Sequence, residues 1–412
     1  MLTSRPWLSP LLLSPLGLLI PIAPRSGPLF VLLLGIAGIV HYIRRRPSLD
    51  WLKSKPVAAL LVWLTYLFMT GIWSQTPERS FEQAFRLTLL AVFGLAGFSL
   101  IRALSDTQKQ RLITCLIPAL IVGIITGCMY GLLQYTGSYI RVVTDFLNAS
   151  PEFSNFRSAD NRLHIAKAML ITNLAFFALL PWLWHAQKIV ALVTYVALLT
   201  VCNYSDSQSA LIASLAGGGI FAVTHLSKAF GPKLILAGII ASFVLVIPVT
   251  QSSMMTKITQ EIKTTSVGKA ASPDMRLRIY GLFGALAQEK PILGHGLMSG
   301  VRYKSKDKQL DYRYVPSFAR APHNFQLQTL FDTGFIGAGL LLLALLGPIW
   351  RLLKTGQTQI TLCILLPLGV MMGGTLFNFV IWRTWIPGAT ILSIFFLHLN
   401  LVKIDYQTLD KS

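Results

Sequence analysis

The chain has 412 residues, 53% of them hydrophobic and only 13% charged, with a mean hydropathy of +0.60 and a formal net charge of +20 at pH 7. A soluble globular enzyme of this length does not carry so much apolar sequence; a polytopic helical membrane protein does.

Apolar runs long enough to span a bilayer recur from end to end. Twelve are expected, at about 7–24, 28–43, 56–74, 84–103, 112–136, 166–184, 188–204, 209–226, 233–250, 334–353, 359–380 and 386–402. The first is broken by Pro10, Pro15 and Pro21 and resembles a signal peptide in length. Arg25-Ser26-Gly27 lacks a small-x-small cleavage site, so this segment is expected to stay as an anchor. The chain then divides into helices 1–9 over residues 1–250, a long loop over 251–333, and helices 10–12 with a short tail over 334–412. Cys115, Cys128, Cys202 and Cys363 all fall inside expected spans and read as small packing residues.

Charge sets the orientation. With the N-terminus inside, the inner loops hold Arg44, Arg45, Arg46, Lys53 and Lys55, then Arg102, Lys109 and Arg111, then Lys188, Lys228, Lys233, Arg351, Lys354, Lys403 and Lys411. The short outer loops hold mainly Arg25, Arg79 and Arg383, which is the positive-inside pattern with both termini inside. Two outer segments are basic all the same. Residues 137–165 carry Arg141, Arg157 and Arg162, and residues 251–323 carry twelve lysines and arginines. Long loops are exempt from the orientation rule. A solvated loop resting on anionic lipid heads accounts for most of the lysines. The arginines lie in flanking sequence that looks structured.

In the long loop, Ser272-Pro273-Asp274 starts a helix that should run to about Glu289 and stop before Pro291. Arg276, Tyr280, Phe283 and Ala287 share one face of it. A guanidinium on an apolar face needs an anionic partner, which a carboxylate in a structural salt bridge or a bound anion could supply. Arg278 lies off this face and is expected to be more solvated. Further on, Pro322 suits a first helical turn. His323 and Asn324 would then lie at the positive end of a helix, which favours anions and a neutral imidazole. Such an imidazole can serve as a general base. A histidine in this position is more often structural than catalytic. His164 reads as a capping or snorkelling residue, and His295, in Gly294-His295-Gly296, as part of a loop. The outer segments show no paired carboxylates at a metal-binding spacing, so no metal or other cofactor is expected. The spans are nearly free of ionisable residues, and the exceptions, such as Arg86, Lys167 and Asp332, lie close to span ends, unlike a proton-coupled transporter.

Two blocks resemble a known group. Arg276-Leu-Arg-Ile-Tyr followed by Lys290-Pro291-Ile-Leu-Gly294-His-Gly296 resembles the Arg-Leu…Pro…Gly-x-Gly block of the O-antigen ligase and polymerase superfamily. His323-Asn324-x-x-Leu327, continuing to Asp332-x-Gly334-x-x-Gly337, is similar to its His-Asn block. Ile381-Trp382-Arg383-Thr384-Trp385-Ile386-Pro387 is similar to the stretch before the last span of enterobacterial O-antigen ligases, which tilts the resemblance from polymerase to ligase. One departure stands out. The superfamily often has an arginine at the start of the span at 209–226, where this chain has Gln208.

The resemblance implies an all-α integral membrane protein of about 12 transmembrane helices, GT-C-like, with a large periplasmic loop. It implies an inner-membrane glycosyltransferase with the active site facing the periplasm. The donor would be a glycan on undecaprenyl diphosphate and the acceptor a hydroxyl of lipid A–core; membrane lipids are the other partners, and no nucleic acid is expected. His323 and Arg276 would be catalytic, as base and diphosphate clamp. Arg157, Arg162, Arg278, Arg320, Asn324 and Arg383 would bind substrate, with Arg157 or Arg162 supplying the charge missing at Gln208. The reaction would be metal-independent and inverting. An O-antigen polymerase, a protein O-oligosaccharyltransferase and a lipid-linked glycan transporter remain alternatives; the last would not need His323.

Overall fold

The computed structural model describes residues 26–45, 53–135, 159–205, 207–255, 257, 273–301, 321–354, 358–376 and 382–409. Among these every regular element is helical. We number the helices α1 (Gly27–Arg45), α2 (Lys55–Trp73), α3 (Pro77–Ala103), α4 (Asp106–Tyr135), α5 (Ala159–Ala186), α6 (Lys188–Tyr204), α7 (Gln208–Leu226), α8 (Gly231–Thr250), α9 (Pro273–Glu289), α10 (Phe325–Lys354), α11 (Thr358–Gly374) and α12 (Trp385–Leu409). Eight of them, α1–α5, α7, α8 and α10, are long and apolar enough to cross a membrane. Shorter apolar stretches lie in α6, α11 and α12. These eleven helices fall on eleven of the twelve expected spans; the segment at 7–24 lies outside the described residues.

Helices in lipid have no water-driven reason to associate, so close backbone approach carries their packing. At the α1–α3 contact, a Cβ on the buried Gly38 would stand 2.1 Å from the Ala96 carbonyl oxygen. α5 is the central helix. From Ala166 to Leu180 every residue is buried, including Lys167, and it packs against α4, α7, α11 and α12.

α9 behaves as its periodicity predicts. It ends at Glu289, and Tyr280, Phe283 and Ala287 are all buried, on the face shared with Arg276. Phe283 meets Phe331 of α10 edge to face, ring centroids 4.9 Å apart.

α10 departs from expectation. It starts at Phe325, nine residues before the expected span, and includes a buried polar stretch with Gln326, Gln328, Thr329, Asp332 and Thr333. Its helix is interrupted at Gly334 (φ 63°, ψ −170°). The loop after α9 repairs the break. The N–H groups of Phe335 and Ile336 donate to the carbonyls of Pro291 (2.8 Å) and Ile292 (3.2 Å), while the carbonyls of Phe331 and Asp332 accept from the N–H groups of His295 (2.8 Å) and Gly296 (2.9 Å). Gly334 cannot be replaced without cost: a Cβ there would lie 2.2 Å from the Ile292 oxygen, on a backbone that L side chains rarely adopt. Gly334→Ala is therefore expected to lower the thermal midpoint of the detergent-solubilised protein, losing about 1–3 kcal/mol from the backbone alone and more from the overlap. An unchanged midpoint would count against the repaired break as a stabilising feature.

Candidate functional site

The residues that the charge pattern assigns to the outer side converge. The α2–α3 turn grips the segment after the Gly-His-Gly stretch. Ser74 Oγ donates to the Leu297 carbonyl (3.2 Å) and meets Ser299 Oγ (2.9 Å), and Thr76 Oγ1 donates to the Met298 carbonyl (3.2 Å). This fixes the first turn of α3 and with it Arg79. Gln83, one turn on, donates through Nε2 to the carbonyl of Trp382. Trp382 in turn donates its indole N–H to Asp332 Oδ2 of α10 at 2.5 Å. One tryptophan therefore ties α3, α10 and the segment entering α12, and sets Arg383 beside it.

These elements enclose a cavity of about 190 Å³. Gln83, Gln328, Asp332, Trp382 and Phe283 line it together with Ala321 and Pro322, and Arg79 and Arg383 are its exposed cations. Asp332 is 1% exposed, and no described cation forms an ion pair with it. Trp382 also lines a second, larger space of about 360 Å³. That groove runs between α2, α3, α10, α11 and α12 and is almost wholly apolar, bounded by residues such as Trp63, Leu87, Phe98, Leu345, Leu368 and Phe395. A cavity that carries polar and charged groups and an almost wholly apolar groove thus share one wall.

Arg276 occupies a different place. It is half-buried, and its Nη1 donates to Gln208 Oε1 at 3.1 Å. Burial pulls its pKa down from the ordinary value, opposed in part by Tyr280. Tyr280, one turn on, donates its hydroxyl to the Leu376 carbonyl and anchors the face. Among the described residues no carboxylate pairs with Arg276, so the salt bridge weighed from the sequence is replaced by a neutral amide. That amide belongs to Gln208, the residue standing where an arginine was expected.

His323 lies outside the helix, two residues before Phe325. It is half-exposed and has a positive φ of 52°. Pro322 is buried in the cavity wall and does not begin the helix. Asn324 is the N-cap: its Oδ1 accepts the Leu327 N–H at 2.9 Å, and its carbonyl accepts from Gln328. His323 and Asn324 therefore precede the first helical turn rather than lie within it. Arg278 is half-buried. Arg157 and Arg320 lie outside the described residues; Arg162 belongs to α5, with its side chain outside the description. No group of three or more His, Cys, Asp or Glu is placed to hold a metal ion among the described residues.

Sequence reasoning passed over two residues. His295 is 2% exposed, stacks on Phe331 at 4.7 Å and donates Nε2–H to the Leu286 carbonyl at 2.7 Å. Burial is the main cause holding it below the usual histidine pKa, so a neutral ring suits its place. Its two flanking glycines, both at positive φ, were the available signal of a tight fit. Arg79 carried no local signal beyond its assignment to an outer turn.

A family model described as O-antigen ligase matches residues 193–342, which include Gln208, Arg276 and His323. Proteins named "Putative polysaccharide ligase" are similar to the chain. The one from Rickettsia conorii is 25% identical over 70% of this chain and 66% of its own length. That from Rickettsia felis is 23% identical over 73% and 69%, and that from Rickettsia bellii 26% over 54% and 52%. No solved structure matches.

Capping separates two roles for Asn324. Asn324→Ala is expected to cost about 0.5–2 kcal/mol through the lost cap, and Asn324→Ser to recover most of it. Thermal unfolding of the purified variants checks this; equal midpoints for the two would remove capping as its role.

Proposed function

We propose that this chain, a member of the O-antigen ligase superfamily, is an inner-membrane glycosyltransferase. It moves a glycan from undecaprenyl diphosphate to a sugar hydroxyl of lipid A–core on the periplasmic side. The observation that carries the reading is the Arg276–Gln208 contact. A partly desolvated guanidinium needs an anion, and here an amide orients it without neutralising it. The planar fork is left to match phosphate oxygens. The apolar groove beside Trp382 suits the hydrocarbon of a lipid-linked donor.

The chemistry is a single displacement. The acceptor oxygen forms a bond to the anomeric carbon of the donor glycan and gives its proton to the imidazole of His323. The bond from that carbon to the diphosphate oxygen breaks, and the electron pair leaves on the diphosphate, where Arg276 holds the growing charge. Inversion at the anomeric carbon follows. Arg383, Arg278 and Arg320 add positive charge along the path of the substrates, and Arg157 or Arg162 supplies the second arginine of the clamp. No metal ion takes part in this scheme.

His323→Asn is the informative base variant. Asn shares the tolerance of His for positive φ, so it keeps the backbone while removing the base. Transfer by protein that accumulates normally is expected to fall about 10²–10⁴-fold; near-normal transfer would exclude His323 as the base and favour a transporter. Arg276→Lys keeps charge but loses the fork, and is expected to remain badly impaired. Transfer by purified protein should survive EDTA, and full loss restored by a divalent ion would bring a metal into the mechanism. A deletion strain should accumulate unligated lipid-linked polymer; single repeat units instead would mark a polymerase.

A further inference from the structure

We propose that the cavity walled by Asp332, Gln83, Gln328 and Trp382 is a binding site for one hexopyranose ring. The identity of that ring rests on the transferase reading, but the composition of the wall stands without it.

Size comes first. At about 190 Å³ the cavity is smaller than the roughly 300–1,000 Å³ of pockets for drug-sized ligands. It takes a single ring rather than an oligosaccharide. The chemistry of the floor selects among small ligands. Asp332 is a buried carboxylate without a described cation partner. Its side chain receives the Trp382 indole N–H and a hydrogen bond from Gln328, and a carboxyl group has hydrogen-bonding capacity beyond these two. A carboxyl group can exchange hydrogen bonds with sugar hydroxyls, as acceptor through either oxygen and, when protonated, as donor too. The amides of Gln83 and Gln328 and, at the exposed side, the guanidinium groups of Arg79 and Arg383 are further polar groups of the wall, and Phe283, Phe331 and Trp382 supply apolar surface for the carbon–hydrogen faces of a sugar. Hydrocarbon has its own space next door, in the groove on the other side of Trp382.

The wall is also held in place before any ligand arrives. The Asp332 carbonyl accepts from Gly296, its side chain from Trp382, and the Trp382 carbonyl from Gln83. Pro322 forms part of the wall, and His323 follows it in the chain. The ring seated here would be the acceptor ring or the first ring of the donor glycan.

Steady-state transfer by purified protein separates the sources, using lipid-linked glycan and unligated lipid A–core both isolated from a deletion strain. Asp332→Asn keeps shape and removes the carboxylate. It is expected to raise KM for one of the two substrates about 5–100-fold, the range set by a buried hydrogen bond lost or left unsatisfied, with the other KM unmoved. A rise for lipid A–core identifies the acceptor ring, and a rise for the lipid-linked glycan the donor ring. Unchanged KM values, or a fall in kcat alone, would overturn the sugar site while leaving the transferase reading intact. Absence of transfer by the unmodified protein would instead overturn that reading. If Asp332→Asn fails to accumulate, Gln328→Met replaces it, with the same substrate-specific rise expected and the same overturning result.

Discussion

The broken helix α10 is the constraint on which the site depends. An interruption at membrane depth strands backbone donors and acceptors, and each costs several kcal/mol unless something replaces its partner. Here the loop after α9 takes the place of the missing turn, giving two donors and two acceptors across the gap at Gly334. The exchange demands backbone-to-backbone contact. A Cβ on Gly294 would lie 2.5 Å from the Gly334 nitrogen, and one on Gly296 would lie 2.6 Å from Ser74. Once the loop is seated, α9 is leashed to α10, and the Arg276 face of α9 is fixed relative to the helix that carries Asn324 and Asp332.

Trp382 carries the second tie. Its carbonyl reaches α3 and its indole reaches α10. The same ring lies between a cavity that carries polar and charged groups and an almost wholly apolar groove. A substrate that is glycan at one end and hydrocarbon at the other needs two such environments side by side. A tryptophan, apolar in its body and polar at one edge, is suited to the boundary. The carboxylate that receives its N–H is thereby held at the polar side of that boundary.

What could be read from the sequence is what depends on local spacing. The buried face of α9, its end at Glu289 and the positions of eleven apolar helices follow from periodicity, breakers and hydropathy. Pro322 signalled a helix start within three residues of Phe325, but hydropathy began the span only at 334, because the first three turns of α10 carry five buried polar residues. Contacts across long separations were equally out of reach. Gln208 and Arg276 are 68 residues apart, and Trp382 and Asp332 are 50 apart. Gln208 was noticed only as a departure, and its contact with Arg276 came from the structure. Arg79 and Arg383 were placed on one side of the membrane by charge, but nothing in their surroundings announced a shared cavity.

The electrostatics of the two basic places differ for a physical reason. Arg86 pairs with Glu82 on an exposed helix face, and such a pair leaves little net charge for a ligand. Arg276 is half-buried and oriented by an amide, so its orientation is fixed and its charge is not cancelled. Arg79 and Arg383 are exposed, where solvent weakens their pull, and behind them stands a carboxylate. Phosphate is therefore favoured at Arg276, where a desolvated guanidinium gains most from an anion. Hydroxyl-rich ligand is favoured beside Asp332, whose buried carboxyl group can exchange hydrogen bonds with hydroxyls. The two places thus suit different chemistry, an anion at one and hydroxyl groups at the other.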